Sequence, residues 1–339
     1  MSLRSPSVTV IIPTYNRAHL LGRSIKSVLG QTYRDIELIV VDDCSTDNTE
    51  EVIRSFSDER LRSIRLNKNS GSPAVPTNKG IEAARGEYIA IQDSDDEWLP
   101  GKLEKQMNVF KKVSPEVAIV YTDVWRIREN GEKEYLPSPH IMPEDGIIYR
   151  EALGYRVEGI GTQTLLIRKE CFSKTGLFDE KLRMFIDTEL LIRVSKYYYF
   201  YHLQEPLVNY FDTPGSLAHD SESWIPARIL ILEEFFDDIR KSRRLLATHY
   251  FSIGHHLCLR GEFAQGRNYL IKSSLAYHLN IKFLMLAFMS LIGRVGYRII
   301  STLLGVPRTL DVSPFFKWNM DQGLKKRNSF GSNEHAKEN

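Results

Sequence analysis

The sequence is short of the features that mark several large classes of protein. Its 339 residues include three cysteines, Cys44, Cys171 and Cys258, which lie far apart and form neither a metal-binding spacing nor a disulfide framework. This cysteine usage favours a reducing compartment, and we expect a cytoplasmic protein. The stretch from Met1 to Ser7 is short and polar, so no secretory signal peptide is expected.

Long hydrophobic runs are missing as well. The longest uncharged run in the most apolar region, Phe283 to Gly293, has eleven residues, whereas a helix that spans a bilayer needs about 20. Residues 281–304 still form the most apolar region, and Arg294 and Arg298 lie one helical turn apart within it. Two interpretations stay open: a helix that lies in the membrane interface, or a buried helix of a C-terminal region.

No glycine-rich loop for a nucleotide phosphate is present. The first predicted strand, Val8 to Ile12, is followed by Pro13 to Asn16 and not by G-x-G-x-x-G, and no Walker A sequence occurs. These absences argue against a dinucleotide-binding fold and against a P-loop enzyme. The chain offers carboxylates at the ends of predicted strands instead.

Negative charge is scarce in the C-terminal part of the chain. Residues 240–310 carry eleven Lys or Arg and one acid, whereas residues 1–239 carry 29 basic and 38 acidic side chains. This asymmetry predicts parts with different partners. We expect an acidic domain over 1–222, a basic helical region over 223–310 that meets an anionic membrane surface, and a partly disordered polar tail over 311–339. No nucleic-acid partner is expected.

Apolar periodicity predicts an alternation of strands and helices in the first half. Predicted strands cover 8–12, 36–41, 61–66, 88–92, 117–124 and 162–168, with helices over 17–30, 74–84, 102–112 and 186–197 and a loop-rich stretch over 125–160. This rhythm predicts an α/β fold with a mostly parallel sheet and helices on both faces. Ligands of such sheets bind at the carboxyl ends of the strands. Further on, 249–276 predicts one helix-turn-helix pair of the tetratricopeptide type.

The densest cluster of acids follows the predicted strand 88–92. Asp93, Asp95, Asp96 and Glu97 are separated only by Ser94. Carboxylates this close repel each other unless a cation or a proton intervenes. Mg²⁺ or Mn²⁺, bound by oxygen ligands together with substrate phosphates, is one interpretation. An acidic turn that caps the following helix is the other.

Four ordered motifs, read together, resemble glycosyltransferase family 2. They are Ser7 to Arg17 (SVTVIIPTYNR), Glu37 to Asp47 (ELIVVDDCSTD), Asn78 to Tyr88 (NKGIEAARGEY) and Asp93 to Pro100 (DSDDEWLP). The resemblance covers roughly residues 5–220. It implies a GT-A fold and an inverting enzyme that uses nucleotide sugars.

The resemblance also implies roles for residues of the donor site. Pro13, Thr14 and Tyr15 would line a uracil pocket, and Asp43 would accept from the N3–H of the base. Asn78 would lie near the donor, Asp93 would touch the ribose, and Ser94 would belong to the donor site. Asp95 would ligate Mn²⁺ or Mg²⁺. Asp42 and Asp96 are interpreted as capping or helper residues, and Trp98 either flanks the acceptor or packs in the core. Thr77 stands where many family members have an arginine, which puts one donor contact in doubt.

The catalytic base implied by the resemblance lies far along the chain. Family members place an acid at the start of a helix after a turn like Gly176 to Glu180, and Asp187 matches that acid. Glu189 is a competing candidate, and Ile186 stands where members commonly have a further acid. His219 would complete the metal site as in some relatives, unless it is an ordinary solvated loop histidine.

These residues together predict an activity. We expect metal-dependent, inverting transfer of a sugar from a nucleotide diphosphate, with uridine as the default base, to a hydroxyl of a glycan or of a lipid-linked saccharide. Asp187 would be the general base. The alternative is a nucleotide-sugar binding or adaptor protein with weak catalysis, favoured by Thr77 and by the acid that is missing before Asp187.

Overall fold

The computed structural model describes residues 6–141, 148–213, 216, 220–277 and 281–303, without the side chains of 221, 281–283 and 300. The chain divides into two compact units, Met1–Ser223 and Trp224–Asn339. The tail predicted over 311–339, with its expected disorder, lies outside the described residues, and so does His219.

The first unit alternates strands and helices over most of its length. Its elements are β1 (Val8–Thr14), α1 (Ala18–Leu29), β2 (Ile36–Asp42), α2 (Thr49–Arg54), β3 (Leu61–Arg65), α3 (Ala74–Ala83), β4 (Tyr88–Ile91), β5 (Glu97–Trp98), α4 (Lys102–Phe110), β6 (Val117–Ile127), β7 (Lys133–Leu136), α5 (Ile148–Leu153), β8 (Leu166–Arg168), α6 (Cys171–Thr175), α7 (Ile186–Ser195) and β9 (Tyr199–Phe211).

The strands of the described residues form one mixed sheet. Its order is β3-β2-β1-β4-β8-β6-β9-β5, and β7 pairs with β6 outside this path. The half from β3 to β4 is parallel. β8 runs antiparallel to both β4 and β6, so β6 points in the same direction as β4.

Alternation along β1 explains why helices cover both faces of the sheet. Val8, Val10 and Ile12 pack in one buried cluster with apolar residues of α1. Ile11 points to the other face, where α3 approaches through Gly80: a Cβ at that glycine would lie 2.5 Å from Ile11 Cγ2. Because successive side chains of a strand point to opposite faces, a β1 with apolar residues on both faces requires helices on both sides, as predicted.

The register brings the carboxyl ends of the parallel strands to one edge. Thr14 at the end of β1 pairs with Asp42 at the end of β2, and Ile11 pairs with Ile91 at the end of β4. The polar segments that follow these three strands therefore start side by side. They are the segments that carry Tyr15, Asp43 and Asp93.

Two predictions for the second half of this unit are wrong in part. Thr162–Thr164 is a 3-10 helix, and only Leu166–Arg168 of the predicted strand 162–168 is extended. The backbone N–H of Thr164 donates to the carbonyl of Gly161 at 3.0 Å, which closes a turn that a strand cannot hold. The predicted loop 125–160 contains the end of β6, then β7 and α5.

The second unit is helical in its described part, as predicted. Its elements are α8 (Ser221–Glu234), which begins at the end of the first unit, α9 (Phe236–Ile239), α10 (Arg243–Arg260), α11 (Phe263–Ala276), α12 (Ile281–Met289) and α13 (Gly293–Leu303). α10 and α11 form the predicted helix pair. They approach closely at Gly254 and Gly266, since a Cβ at Gly254 would lie 2.8 Å from the Gly266 carbonyl oxygen.

The apolar region 281–304 is not one helix. Gly293 has a φ of 84°, a left-handed conformation that interrupts the helical path, and a short 3-10 helix over Ser290–Ile292 precedes it. Leu286, Ala287 and Tyr297 pack in a buried cluster with Phe251 of α10. No helix in the described ranges combines the length and the apolar character needed to cross a membrane.

Candidate active site

Asp43 follows β2 and is held by the loop after β3. Its carboxylate is 4% exposed. It accepts the backbone N–H of Ser70 at 3.0 Å, the Ser70 hydroxyl at 2.8 Å and the Asn69 amide at 3.1 Å. Burial and the neighbouring Asp42 raise the pKa of Asp43, while the bonds from Ser70 oppose the shift. The carboxylate is therefore fixed in position at the edge of the sheet.

The segment after β1 lies beside Asp43. The backbone N–H of Asp43 donates to the Thr14 carbonyl at 2.9 Å. Pro13 is half-buried, Thr14 is buried, and the Tyr15 side chain is 43% exposed. The structure thus brings together the three residues that the sequence assigns to a base pocket and the acid assigned to the base. Tyr15 offers an exposed aromatic ring in the segment that is bonded to the backbone of this buried acid, and such a ring can stack on a flat heterocycle.

Asp42 has a supporting role. Its carboxylate accepts the Arg65 guanidinium at 2.5 Å and the backbone N–H of Ser45 at 2.9 Å, and it is 2% exposed. Arg65 also donates to the Ser45 carbonyl at 2.7 Å. These contacts close the turn between β2 and α2, which agrees with the prediction of a helper or cap.

Asn78 lies on α3 and contacts the turn that precedes α7. Its amide donates to the Phe178 carbonyl at 2.9 Å and accepts the Phe178 backbone N–H at 3.0 Å. The side chain is 3% exposed. These two bonds fasten the Gly176 to Glu180 turn to α3, so Asn78 positions the segment that leads to Asp187. A direct contact with a ligand stays a prediction.

Side chains of α1 hydrogen-bond to the backbone of the acidic segment after β4. The sequence did not predict this contact. Ser24 Oγ donates to the Asp93 carbonyl at 3.0 Å, and the Arg23 guanidinium donates to the Asp95 carbonyl. Ser27 Oγ accepts the Trp98 backbone N–H at 3.1 Å. These side chains form a polar stripe on a helix whose other side is apolar. That stripe was the available signal.

Burial, followed by like-charge crowding, dominates the electrostatics of this segment. Burial, then Asp95 and Asp187, raise the pKa of Asp93 to about 7. Burial, Asp93 and Asp95 raise the pKa of Asp96 as well. Asp96 Oδ1 accepts the Phe211 backbone N–H at 3.0 Å, whereas its buried Oδ2 has no partner among the described residues. The bond to Phe211 supports the interpretation of Asp96 as a structural residue.

Asp95 differs from its neighbours in being available. It is partly exposed, and Ser94 beside it is 9% exposed. Within the described ranges we find hydrogen bonds to its main-chain oxygen but none to its carboxylate. Trp98, by contrast, is 2% exposed and belongs to the buried cluster of the sheet. It is a packed residue and not a surface for a ligand.

Asp187 opens α7 near this acidic segment. It follows Phe185, whose φ of 62° is left-handed and costly for a bulky side chain. Burial and the charge of Glu158 raise the pKa of Asp187 to about 6, although bonds from Thr188 oppose the shift. Because the Asp187 charge also raises the pKa of Asp93, the two carboxyl groups lie close enough to interact.

Glu189 is engaged in a buried ion pair. It is 0% exposed, and Arg193 Nη2 donates to it at 2.6 Å. The same guanidinium donates to the Leu177 carbonyl at 2.7 Å. Both oxygens of the Glu189 carboxylate are therefore engaged by one guanidinium. The structure therefore favours Asp187 over Glu189 as the available acid.

The side chains around Asp95 determine whether a divalent metal fits this site. No group of three or more His, Cys, Asp or Glu side chains able to hold a metal is found in the described part of the chain. Mg²⁺ usually takes one or two carboxylates and completes its shell with phosphate oxygens and water. The available Asp95 carboxylate, next to two acids with raised pKa values, fits such a ligand-assisted site.

Known proteins resemble most of the first unit. The profile described as Glycosyl transferase family 2 matches residues 9–182. The putative teichuronic acid biosynthesis glycosyltransferase TuaG of Bacillus subtilis is 32% identical over 66% of this chain and 85% of its own length. The succinoglycan biosynthesis protein ExoO of Rhizobium meliloti is 39% identical over 55% of each protein.

Another relative is covered less completely. The glycosyltransferase RT0329 of Rickettsia typhi, itself uncharacterized, is 35% identical over 58% of this chain, and the match spans 61% of its length. Such a match leaves more than a third of each protein without a counterpart in the other. The substrates and partners of the whole protein are therefore proposed below.

Solved structures share the fold. S. aureus TarS 1-349 in complex with UDP-GlcNAc matches 88% of this chain and 92% of its own with a TM-score of 0.66 and 20% identity. The mannosyltransferase PcManGT of Pyrobaculum calidifontis, in complex with GDP-Man and Mn²⁺, matches 94% of this chain and 84% of its own with a TM-score of 0.54 and 18% identity. The predicted GT-A fold is thereby confirmed. With the family profile covering half of the chain, this protein belongs to glycosyl transferase family 2 and is a glycosyltransferase.

Proposed function

We propose that the protein transfers a sugar, with inversion and with a divalent metal, from a UDP-sugar to a hydroxyl of a glycan or of a lipid-linked saccharide. The observation that carries the proposal is the convergence of Asp187 with the acidic segment at Asp93, with a pKa of about 6 for Asp187. A carboxyl group with that pKa is suited to accept a proton near neutral pH. Relatives named for teichuronic acid, succinoglycan and colanic acid biosynthesis support a saccharide acceptor.

Asp43 has the capacity to bind the base of the donor. A carboxylate offers about four lone-pair positions. Oδ2 takes the bonds from Asn69 and from the Ser70 hydroxyl, and the Ser70 backbone N–H is shared between Oδ1 at 3.0 Å and Oδ2 at 3.1 Å. No other described residue bonds to Oδ1. One lone pair of Oδ1 is left for the N3–H of uracil, with Thr14 and Tyr15 alongside. Asp93 would contact the ribose at the next position along the edge.

Asp187 would remove the proton from the acceptor hydroxyl. The acceptor oxygen then forms a bond to the anomeric carbon as the bond from that carbon to the diphosphate breaks, and the proton stays on Asp187. Attack from the side opposite the diphosphate inverts the configuration. No protein nucleophile is required, so the paired carboxylates of retaining hydrolases have no counterpart here.

Asp95 would hold the metal together with the donor diphosphate. A bound Mn²⁺ or Mg²⁺ supplies charge neutralisation on the departing diphosphate. His219, the other metal ligand implied by the sequence, lies outside the described residues.

The configuration of the product tests the proposal. With an α-linked UDP-sugar and Mn²⁺, we expect the new glycosidic bond to be β, because a single displacement inverts the anomeric carbon. Proton NMR of the product distinguishes the two configurations. Retention would overturn the inverting assignment, and UDP-sugar binding without turnover would favour the binding-protein alternative.

The pH dependence of kcat is a second test. A base must be deprotonated to act, so kcat should rise about tenfold per pH unit below pH 6 and level off above it, given the pKa of about 6 for Asp187. The measurement uses saturating UDP-sugar and Mn²⁺ between pH 5 and 8. Binding of UDP over the same range is the control, and a flat kcat profile would place the base elsewhere.

We further infer that the protein lies at the inner face of the cell membrane. Residues 240–310 carry eleven basic side chains and one acid, which favours attraction to anionic lipid. A lipid-linked saccharide acceptor would be met at that surface.

A further inference from the structure

Helices α12 and α13 expose an apolar face. Its six members are each more than half exposed, at 51% to 75%: Phe288, Leu291, Ile292, Val295, Ile299 and Leu303. We refer to these residues as the apolar face. Single exposed apolar residues are ordinary on protein surfaces, but six of them between residues 288 and 303 indicate an interaction site.

The buried side of α13 fixes this orientation. Tyr297 and Ser301 are 0% exposed and lie one turn apart, and the Tyr297 hydroxyl is 2.9 Å from His255 Nδ1 in the core of the second unit. Val295, Ile299 and Leu303 follow the same four-residue spacing on the outward side. Most surface helices present polar residues outward, whereas this helix presents aliphatic ones.

Basic side chains flank the apolar face. Arg294 and Arg298 are exposed on α13, beside Val295 and Ile299. Residues 281–303 contain three basic residues and no acid. Among the described residues, no carboxylate forms an ion pair with Arg294 or Arg298, and Arg294 Nε donates to the Leu259 carbonyl at 3.0 Å. An apolar strip with a cationic flank is complementary to an anionic lipid surface.

The charge distribution argues against two other occupants of the apolar face, a second copy of the chain and the segment 311–339. In a twofold dimer the same patch meets itself, so Arg294 and Arg298 of both copies would be brought together in an apolar contact, which is unfavourable. The segment 311–339 carries five basic and four acidic residues and therefore offers no excess of negative charge to neutralise the flank. An anionic bilayer supplies both the apolar phase and the counter-charge.

We propose that α12 and α13 dock on an anionic lipid bilayer, with the apolar face in the interface and Arg294 and Arg298 at the headgroups. The inference rests on the proposed membrane location and specifies the surface that produces it. Neither helix crosses the bilayer. Their role is to hold the enzyme where a lipid-linked acceptor is available.

Vesicle binding tests this docking with the full-length chain. Sedimentation with phosphatidylglycerol/phosphatidylcholine vesicles is compared with sedimentation on phosphatidylcholine alone. We expect binding only to the anionic vesicles. Arg294→Gln/Arg298→Gln should weaken it about 30-fold, because each basic residue near an anionic surface contributes about fivefold. Val295→Asp/Ile299→Asp should weaken it at least about tenfold through lost apolar burial.

A matched control separates local docking from overall charge. Arg240→Gln/Lys241→Gln removes the same two charges from exposed positions on the same unit, where each is paired with an aspartate. This variant should bind vesicles as the wild type does. An equal loss in the control would overturn the assignment to α12 and α13.

Further outcomes are decisive as well. No preference of the wild type for anionic vesicles overturns the proposal. So does a dimer, seen by sedimentation velocity, that Val295→Asp/Ile299→Asp dissolves, since a second copy would then cover the face. UDP binding, followed by thermal shift on every variant, keeps this test separate from the proposed transfer: variants that lose vesicles but retain UDP support the docking surface.

Discussion

Replacement of Asp187 by asparagine is expected to lower kcat about 10²- to 10⁴-fold and to leave UDP-sugar binding intact. A general base contributes about this factor, and asparagine cannot accept the proton. Steady-state kinetics with a Mn²⁺-loaded donor measures the loss, and isothermal titration measures the binding. A variant that keeps full activity would show that the base lies elsewhere.

The same substitution should stabilise the folded protein at pH 8. Because its pKa is raised to about 6, the folded protein holds the Asp187 proton more tightly than the unfolded chain does. The free energy of unfolding therefore falls as pH rises from about 4 to about 6. Asparagine removes this loss, which we put at about 3 kcal/mol. Loss of activity together with a higher Tm is the pattern expected of a residue that is kept for chemistry.

Glu189→Gln is the matched control, and it should show the opposite pattern. Glu189 is 0% exposed and pairs with Arg193. Removal of one partner of a buried ion pair costs about 3 kcal/mol, so Tm should fall. The kcat of the folded fraction should remain within a few-fold of the wild type. If Glu189→Gln lowers kcat and leaves Tm unchanged, Glu189 and not Asp187 is the catalytic base.

Replacement of Asp95 by asparagine is expected to abolish the dependence on Mn²⁺ and to lower kcat/KM at least about 100-fold. Mutation of a residue that merely orients a metal ligand already costs 10- to 100-fold, and Asp95 is proposed as the ligand itself. The structural reason is that its carboxylate is partly exposed and accepts no hydrogen bond from the described residues, so it is available to a cation.

A thermal-shift assay tests this role without turnover. Mn²⁺ with UDP should raise the Tm of the wild type, since a ligand that binds only the folded state stabilises it. The shift should be lost in Asp95→Asn. Asp96→Asn is the control: it keeps the acceptor for the Phe211 N–H and should retain the shift. Loss of the shift in Asp96→Asn alone would make Asp96 the ligand.

The local elements of the first unit were predictable from the sequence. Runs such as Val8 to Ile12 and Ile36 to Val41 are apolar apart from Thr9 and Glu37, and this pattern is typical of strands buried on both faces of a parallel sheet. The ends of these strands coincide with the polar clusters, so the position of the site followed from the rule that ligands bind there.

The antiparallel half of the sheet was not predictable in the same way. β8 has three residues, Leu166–Arg168, and β5 has two, Glu97–Trp98. Strands this short are formed by hydrogen bonds to neighbouring strands. They contain too few residues to show an apolar periodicity in the sequence. The 3-10 helix over Thr162–Thr164 likewise depends on a hydrogen bond within the turn, which an apolar pattern does not reveal.

The support of the candidate site was also hidden. From the sequence alone, Arg23, Ser24 and Ser27 are typical of a solvent-exposed face of α1. In the structure these side chains hydrogen-bond to the acidic segment. Asn78 was assigned to the donor, and its amide is bonded to Phe178. In both cases the partner lies about 70 to 100 residues away, beyond any local pattern.

The sequence by itself determined the strands, their polar ends, the basic C-terminal region and the acids that qualify for chemistry, because each of these is written in neighbouring residues. Only the tertiary structure decided between acids of the same kind. Asp42 is held by Arg65 and Glu189 by Arg193, whereas Asp95 and Asp187 are left with no basic partner among the described residues. The physical reason is that the availability of a carboxylate depends on which groups surround it, and those groups come from distant segments of the chain.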